Sequence, residues 1–281
     1  MNIKEIKGNV LAGKKILVIS GVHGNELTPI MTTHLLTQSE LDLDLDKFQS
    51  LTIITGANND AINSNTRDIP NSTTSDLNRM FKNTPPFSIK DELRKHLDAN
   101  DVIIDIHSSP SCTEFVLLNQ DENTNSYVEF CKEHLINYTI RYSGAETIKK
   151  YCLSRNRIAF TLELSGIGYV DYTSAYQGKI ITKNIIENCS NFVVRQEEPV
   201  YSPYVELYTY KSGIFSRNGC MGHMVEEGDI IGALLDLDTL DTSLIKSPFK
   251  GMHQVICYGV SDYVDANSPI CLLQPIKFTD K

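Results

Sequence analysis

Along the first two thirds of the chain, apolar runs of strand length alternate with helix-length amphipathic stretches, the pattern of a sheet covered by helices. Strands are predicted at Lys15–Ser20, Leu51–Gly56, Val102–His107, Glu114–Leu118, Tyr138–Tyr142 and Ile158–Leu164. Helices are predicted at Glu26–Thr37, Ile89–Ala99, Ser126–Leu135, Ala145–Leu153 and Ser174–Val194. In the last of these, Ile181, Ile185, Cys189 and Phe192 recur at three and four residues, which puts them on one helical face. Between Asn58 and Pro86 runs a polar tract rich in Asn, Ser, Thr and Pro, read here as a long functional or mobile loop.

The pattern changes after Glu197-Glu198-Pro199, where short apolar or alternating runs are separated by Gly, Asp and Asn. That predicts a small all-β unit from Val200 onward, so the chain divides into a domain of residues 1–199 and an accessory domain of 200–281. Two stretches, GIFSRNGCMGHMVEEGDIIGALLD and SPFKGMHQVICYGVSDYVDANSPICLLQ, look like related halves of a lipoyl- or biotinyl-like barrel. A carrier barrel presents a lysine at a hairpin tip, whereas the connection here reads Leu237-Asp238-Thr239-Leu240-Asp241. The unit is therefore expected to be structural.

A chain of 281 residues can bury a substantial core, and its formal net charge of -9 argues against nucleic acid as a partner. No Lys or Arg block offsets that charge. The opening MNIKEIKGNVLAGKK lacks the continuous apolar stretch of a signal peptide, and no later segment approaches the roughly 20 apolar residues of a membrane helix. A cytoplasmic protein without a membrane partner is expected, and assembly into a homo-oligomer stays open. The seven cysteines, at 112, 131, 152, 189, 220, 257 and 271, include no CxxC pair and read as reduced thiols.

The strongest local feature is KKILVISGVHGNELTP, an apolar strand, a Gly-bounded turn carrying His23, and Glu26 at the opening of a helix. A strand-to-helix turn of this kind can aim both side chains at one point beyond the strand's carboxyl end. Taken alone, the turn equally fits a Glu26 that complements the helix dipole and a His23 that is merely a polar turn residue. A second strand-end histidine, His107 in DVIIDIHSSP, shifts the balance. Two His and one carboxylate form the three-ligand arrangement of catalytic zinc, with a position open for water.

In SDLNRMF, Arg79 offers a planar fork suited to a carboxylate, and Asn78 can add an amide donor. Asp76 suits a different task, accepting the remaining N–H of a ligand imidazole; it also fits a simple helix cap. In IAFTLELSGIG, Glu163 stands in an otherwise apolar strand, where an unpaired carboxylate is costly unless it has a role.

Together GVHGNE, DLNR, DIHS and TLELSG, spanning Gly21 to Gly166, resemble the succinylglutamate desuccinylase and aspartoacylase group of the zinc carboxypeptidase superfamily, in order and spacing. The resemblance implies a mixed sheet between helices followed by a C-terminal β-barrel-like domain. It also implies one zinc per chain on His23, Glu26 and His107, with Glu163 as catalytic carboxylate and Asn78 and Arg79 on the substrate's carboxylate. Members carry an arginine shortly before DLNR; here Arg67 lies nine residues ahead of Asp76 and is assigned to carbonyl polarisation. Arg155 and Arg157 are candidates for a further substrate contact. The implied activity is removal of an acyl group from a small N-acyl amino acid or related carboxylate-bearing amide. A metallocarboxypeptidase acting on short peptides would use the same motifs, and a catalytically silent zinc or ligand-binding protein would keep the ligands without needing Glu163.

Overall fold

The computed structural model describes residues 1–38, 42–68, 76–81, 88–109, 114–119, 124–141, 147–195, 205–219, 223–258 and 263–275. In chain order the first part comprises β1 (Asn2–Lys7), β2 (Lys15–Ser20), α1 (Leu27–Thr37), β3 (Ser50–Thr55), α2 (Asn59–Asn63), α3 (Ser88–Ala99) and β4 (Val102–Ser109). It continues with β5 (Phe115–Asn119), α4 (Thr124–Glu133), β6 (Tyr138–Arg141), α5 (Ile148–Leu153), β7 (Ile158–Ser165) and α6 (Tyr172–Asn188). These strands form one seven-stranded sheet in the order β1-β3-β2-β4-β7-β5-β6. Its centre, β3, β2, β4 and β7, is parallel, while β1 runs antiparallel to β3 and β5 antiparallel to β7.

The central strands begin with apolar runs because helices cover both their faces, and all eight residues of β4, VIIDIHSS, are buried. On one face Ile16, Val18, Ile104 and Leu162 pack with Leu36 of α1 and Ile185 and Ile186 of α6. On the other, Leu17, Ile19, Ile103 and Ala159 pack with Leu93 and Leu97 of α3 and Ile148 and Tyr151 of α5. Alternation along β4 and β7 therefore directs Asp105, His107 and Ser109, and likewise Thr161 and Glu163, toward the α3/α5 side.

The mixed α/β sheet agrees with the expected fold class; β1 is the strand that the hydrophobic pattern does not reveal. Its sequence, NIKEIK, is mostly polar because it is an edge strand with little of its surface buried. The tract from Asn58 to Pro86 also departs from a plain loop. It contains α2, whose cap Asn58 accepts a hydrogen bond from Ala61 N, and a 3-10 turn at Leu77–Arg79. Short polar residues that bond their own backbone stabilise such turns without any apolar period, so periodicity overlooks them. Residues 69–75 and 82–87 of that tract lie outside the described residues.

Every described strand from Val205 on belongs to one of two four-stranded antiparallel sheets. These comprise β8 (Val205–Tyr208), β9 (Gly213–Arg217), β10 (Met224–Val225), β11 (Ile230–Leu235), β12 (Thr242–Lys246), β13 (His253–Tyr258), β14 (Tyr263–Val264) and β15 (Pro269–Pro275). The orders are β10-β13-β15-β8 and β12-β11-β9-β14, around an apolar cluster that includes Phe215, Ile231, Val255 and Ile270. Among the described residues no helix is long and apolar enough to cross a membrane.

Cys131, Cys152 and Cys189 are free, buried thiols, and Cys271 is buried as well. Burial disfavours the thiolate and pushes Cys131 and Cys189 up to about 12, with Cys152 also raised. At pH 8 these three thiols stay protonated, so in the folded protein they resist a thiolate-directed reagent. Peptide mapping after alkylation is expected to find them unmodified in buffer and modified in denaturant; modification of the folded protein would place them in contact with solvent.

Candidate metal centre

β2 ends at Ser20, and the chain turns through Gly21 and Gly24 into α1. Gly21 has φ +71°, a conformation that other residues adopt at a cost. Gly24 is required by contact: a Cβ there would lie 2.0 Å from the carbonyl carbon of Ala61 in α2. The turn is braced by Ala57 N and Asn58 N donating to Ser20 O and Gly21 O, and by Gly168 N donating to Asn25 O. Glu26 occupies the N-cap of α1 but makes no capping hydrogen bond with its side chain. The carboxylate turns instead toward the neighbouring rings.

His23, Glu26 and His107 are all buried, and a donor atom from each lies within 4.8 Å of the others. His23 Nδ1 is 2.7 Å from Glu26 Oε1, His107 Nδ1 is 2.9 Å from Glu26 Oε2, and the two Nδ1 atoms are 3.1 Å apart. The backbone N–H of Ser108 donates to Glu26 Oε2 at 3.0 Å. On the outer sides, His23 Nε2 faces Asp76 Oδ1 at 3.1 Å and His107 Nε2 faces Asp105 Oδ2 at 2.9 Å. Carboxylates only accept, so Asp76 and Asp105 are placed to take an N–H from each Nε2, the tautomer that leaves each Nδ1 able to face a cation in the cluster.

Two imidazole lone pairs and a carboxylate aimed at one point need a positive charge between them. Three carboxylates, those of Glu26, Asp76 and Asp105, touch the two rings, and the Arg67 guanidinium pairs with two of them, Glu26 and Asp76. Asp105 Oδ1 is buried with no hydrogen-bond partner among the described residues, which leaves that charge dependent on the ring beside it. Two nitrogens and one oxygen, each ring held from behind, fit a divalent ion such as zinc. Burial opposes charge on His107, but Asp105 and Glu26 outweigh it and raise its pKa well above the usual imidazole range. Burial likewise opposes charge on Glu26, yet His107 and His23 hold it well below the usual carboxylate range.

Glu163 lies opposite His107 in the β4–β7 ladder. Burial, reinforced by the Glu26 charge, pushes it up to about 7 against the pull of His107, His23 and a hydrogen bond from Ser109. Asp76, whose burial is outweighed by His23, Arg67 and Arg79, is held well below the usual range. Its Oδ1 also accepts from Asn78 N at 2.9 Å, so one carboxylate both caps the 3-10 turn and holds the ring.

Arg67 spans two carboxylates, with Nη1 at 3.3 Å from Glu26 Oε1 and Nη2 at 3.1 Å from Asp76 Oδ2. Asn78 is buried and engaged within the fold: its Oδ1 accepts from Ile148 N at 2.8 Å, and its Nδ2 is 3.2 Å from His107 Nε2. Arg79 is exposed and donates to Asn78 O at 3.3 Å. Arg155 and Arg157 stand elsewhere. Arg155 stacks 3.7 Å over Tyr151 and Arg157 pairs with Asp101 at 3.2 Å, at the strand-start end of β4 and β7, opposite the cluster. Sequence reading missed Asp105 and Ser109; a charged residue inside the buried run VIIDIH, two before a histidine, was the available signal. A cleft of about 320 Å³ between α4 and the end of α6, lined by Glu129, His134, Phe192 and Arg195 among others, contains none of these residues.

The family description "Succinylglutamate desuccinylase/Aspartoacylase catalytic domain" matches residues 12–188. No curated protein matches the sequence. Among solved structures, an aspartoacylase family protein from Mesorhizobium loti superposes with a TM-score of 0.75 at 19% identity, covering 98% of this chain and 89% of its own. The product-bound ectoine utilization protein EutE from Ruegeria pomeroyi gives 0.74 at 18% identity, covering 98% and 88%. A succinylglutamate desuccinylase from Silicibacter gives 0.72 at 18% identity, with the same coverage of 98% and 88%. At these identities the structural likeness is one of fold.

Asp105→Asn keeps the side chain's size while removing the charge that fixes the N–H at His107 Nε2. Zinc affinity, read by competition with a chromophoric chelator, is expected to fall about 10- to 100-fold, the range for a carboxylate behind a ligand imidazole. An unchanged affinity would make Asp105 a bystander.

Proposed function

This chain belongs to the succinylglutamate desuccinylase/aspartoacylase family, a group of deacylase-type hydrolases, and on that premise we propose that it is a zinc-dependent amidohydrolase. Its substrate in this reading is a small N-acyl amino acid or related carboxylate-bearing amide. The observation that carries the reading is the convergence of His23 Nδ1, His107 Nδ1 and Glu26 on one point, with a carboxylate behind each ring. A zinc ion held by His23, Glu26 and His107, one per chain, would supply Lewis acidity that activates water and polarises the scissile carbonyl.

The protein's own groups do the rest. Glu163 accepts a proton from the attacking water and returns it to the departing nitrogen, so that amide and water become carboxylic acid and amine. A carboxylate with its pKa pushed up to about 7 suits both halves of that exchange near neutrality. Arg67 stabilises charge developing on the carbonyl oxygen and Arg79 orients the substrate's carboxylate, while Asn78, bonded to Ile148 N, anchors the turn that presents Arg79. Asp76 and Asp105 keep the proton on the outer nitrogen of each imidazole. We also propose that residues 1–199 are the catalytic domain and 200–281 an accessory all-β domain, supported by the separate apolar cluster around Ile231 and Val255.

Zinc-loaded protein, incubated with a panel of N-acyl amino acids and dipeptides, should release acid and amine from the former by mass spectrometry. Cleavage of dipeptides alone points to a carboxypeptidase. With a substrate in hand, Glu163→Gln should retain zinc while turnover falls by roughly a hundredfold or more, the scale of a general base. Loss of zinc would make Glu163 a ligand instead. Because the base must be ionised, kcat/KM of the native enzyme should rise with pH through an acid limb that zinc's positive charge places below about 7, and this limb should vanish in Glu163→Gln.

Arg79→Lys retains charge but loses the fork. It is expected to raise KM for a substrate with a free carboxylate and to leave the matching amide analogue unaffected. Equal effects on both substrates would remove Arg79 from carboxylate recognition.

A further inference from the structure

The cluster contains a cation of its own. One guanidinium fork joins Glu26 Oε1 (3.3 Å) to Asp76 Oδ2 (3.1 Å), bridging a ligand carboxylate and the carboxylate that holds His23. Glu26 Oε1 is also the oxygen 2.7 Å from His23 Nδ1, so Arg67 reaches the inner side of the ligand set rather than its rim. The buried end of this contact is Glu26, with 4% of its side chain exposed; the other end is open to water, with 44% of the Arg67 side chain exposed. A long, half-exposed side chain can leave without opening the core.

A metal ion held by His23, Glu26 and His107 would draw on the Glu26 carboxylate and carry the same sign of charge as Arg67. The two would compete for that carboxylate and repel each other. We propose that Arg67 is the resident counter-ion of the metal-free site and is displaced from Glu26 by the metal, thereby setting metal affinity. This rests on the reading of His23, Glu26 and His107 as metal ligands. Without metal, Arg67 neutralises Glu26 and Asp76 and keeps a carboxylate-rich cluster folded. With metal, the freed guanidinium nitrogen is available to a substrate carbonyl, so the group that polarises the substrate is released only in a loaded site.

Arg67→Met keeps the stem and removes the charge. Zinc dissociation constants measured by chelator competition are expected to tighten by about tenfold or more, as expected when a like charge a few ångströms away is removed. The melting temperature of metal-free protein should fall, and the rise on adding zinc should grow. Arg67→Gln, which keeps hydrogen-bonding capacity, should behave alike, whereas Arg67→Lys, which keeps the charge, should hold zinc within about threefold of wild type. Wild-type zinc binding with no tightening in Arg67→Met and Arg67→Gln would overturn the counter-ion role alone and make Arg67 a positioning residue for the ligands. Failure of both variants to fold in the presence of zinc would also overturn it, because a displaced side chain is not needed in the loaded site. A wild-type protein that takes up no zinc would overturn the functional reading and this inference with it.

Discussion

The two carboxylates that grip the outer nitrogens of His23 and His107 organise everything around them. Asp76 and Asp105 can only accept hydrogen bonds, so they dictate which nitrogen of each ring bears the proton and turn the other inward. With the tautomers set, the inward atoms face each other 3.1 Å apart across one side of Glu26. Such an arrangement is repulsive when empty of positive charge. Proton, guanidinium and metal ion are alternative answers to the same electrostatic demand.

That demand also separates two glutamates that share a neighbourhood. Glu26 touches both rings, and their charge outweighs the effect of burial and keeps it ionised. Glu163 stands one strand away, where burial and the Glu26 charge act together and favour its neutral form. One carboxylate is thus suited to bind a cation and the other to exchange a proton. The division comes from position alone, because the side chains are chemically identical.

Much of this was legible in the sequence. The apolar runs ending in His107 and Glu163, and the Gly-bounded turn between Ser20 and Leu27, placed three candidate ligands and a carboxylate at strand ends, where the structure brings them together. Asp105 was harder to see, since its partner is identified by strand alternation rather than by a motif; for Asp76 the sequence offered a ring-holding role and a cap as alternatives, and its one carboxylate does both. Arg155 and Arg157 looked available for substrate because charge along a chain does not reveal which end of a sheet it reaches; Tyr151 and Asp101 hold them at the other end. Edge strand β1 escaped notice for want of a buried face.

The parallel ladder that aligns β2, β4 and β7 has a consequence for how the protein comes into being. His107 is 84 residues from His23, and β4 must pair with β2 before their side chains meet. Contacts so distant along the chain form late, after the entropy of closing long loops has been overcome. During synthesis, the turn bearing His23 and Glu26 leaves the ribosome well before its partners and offers only two of the three donors. The three candidate ligands converge only once the sheet has assembled, and a chain interrupted before β7 would hold His23, Glu26 and His107 without Glu163.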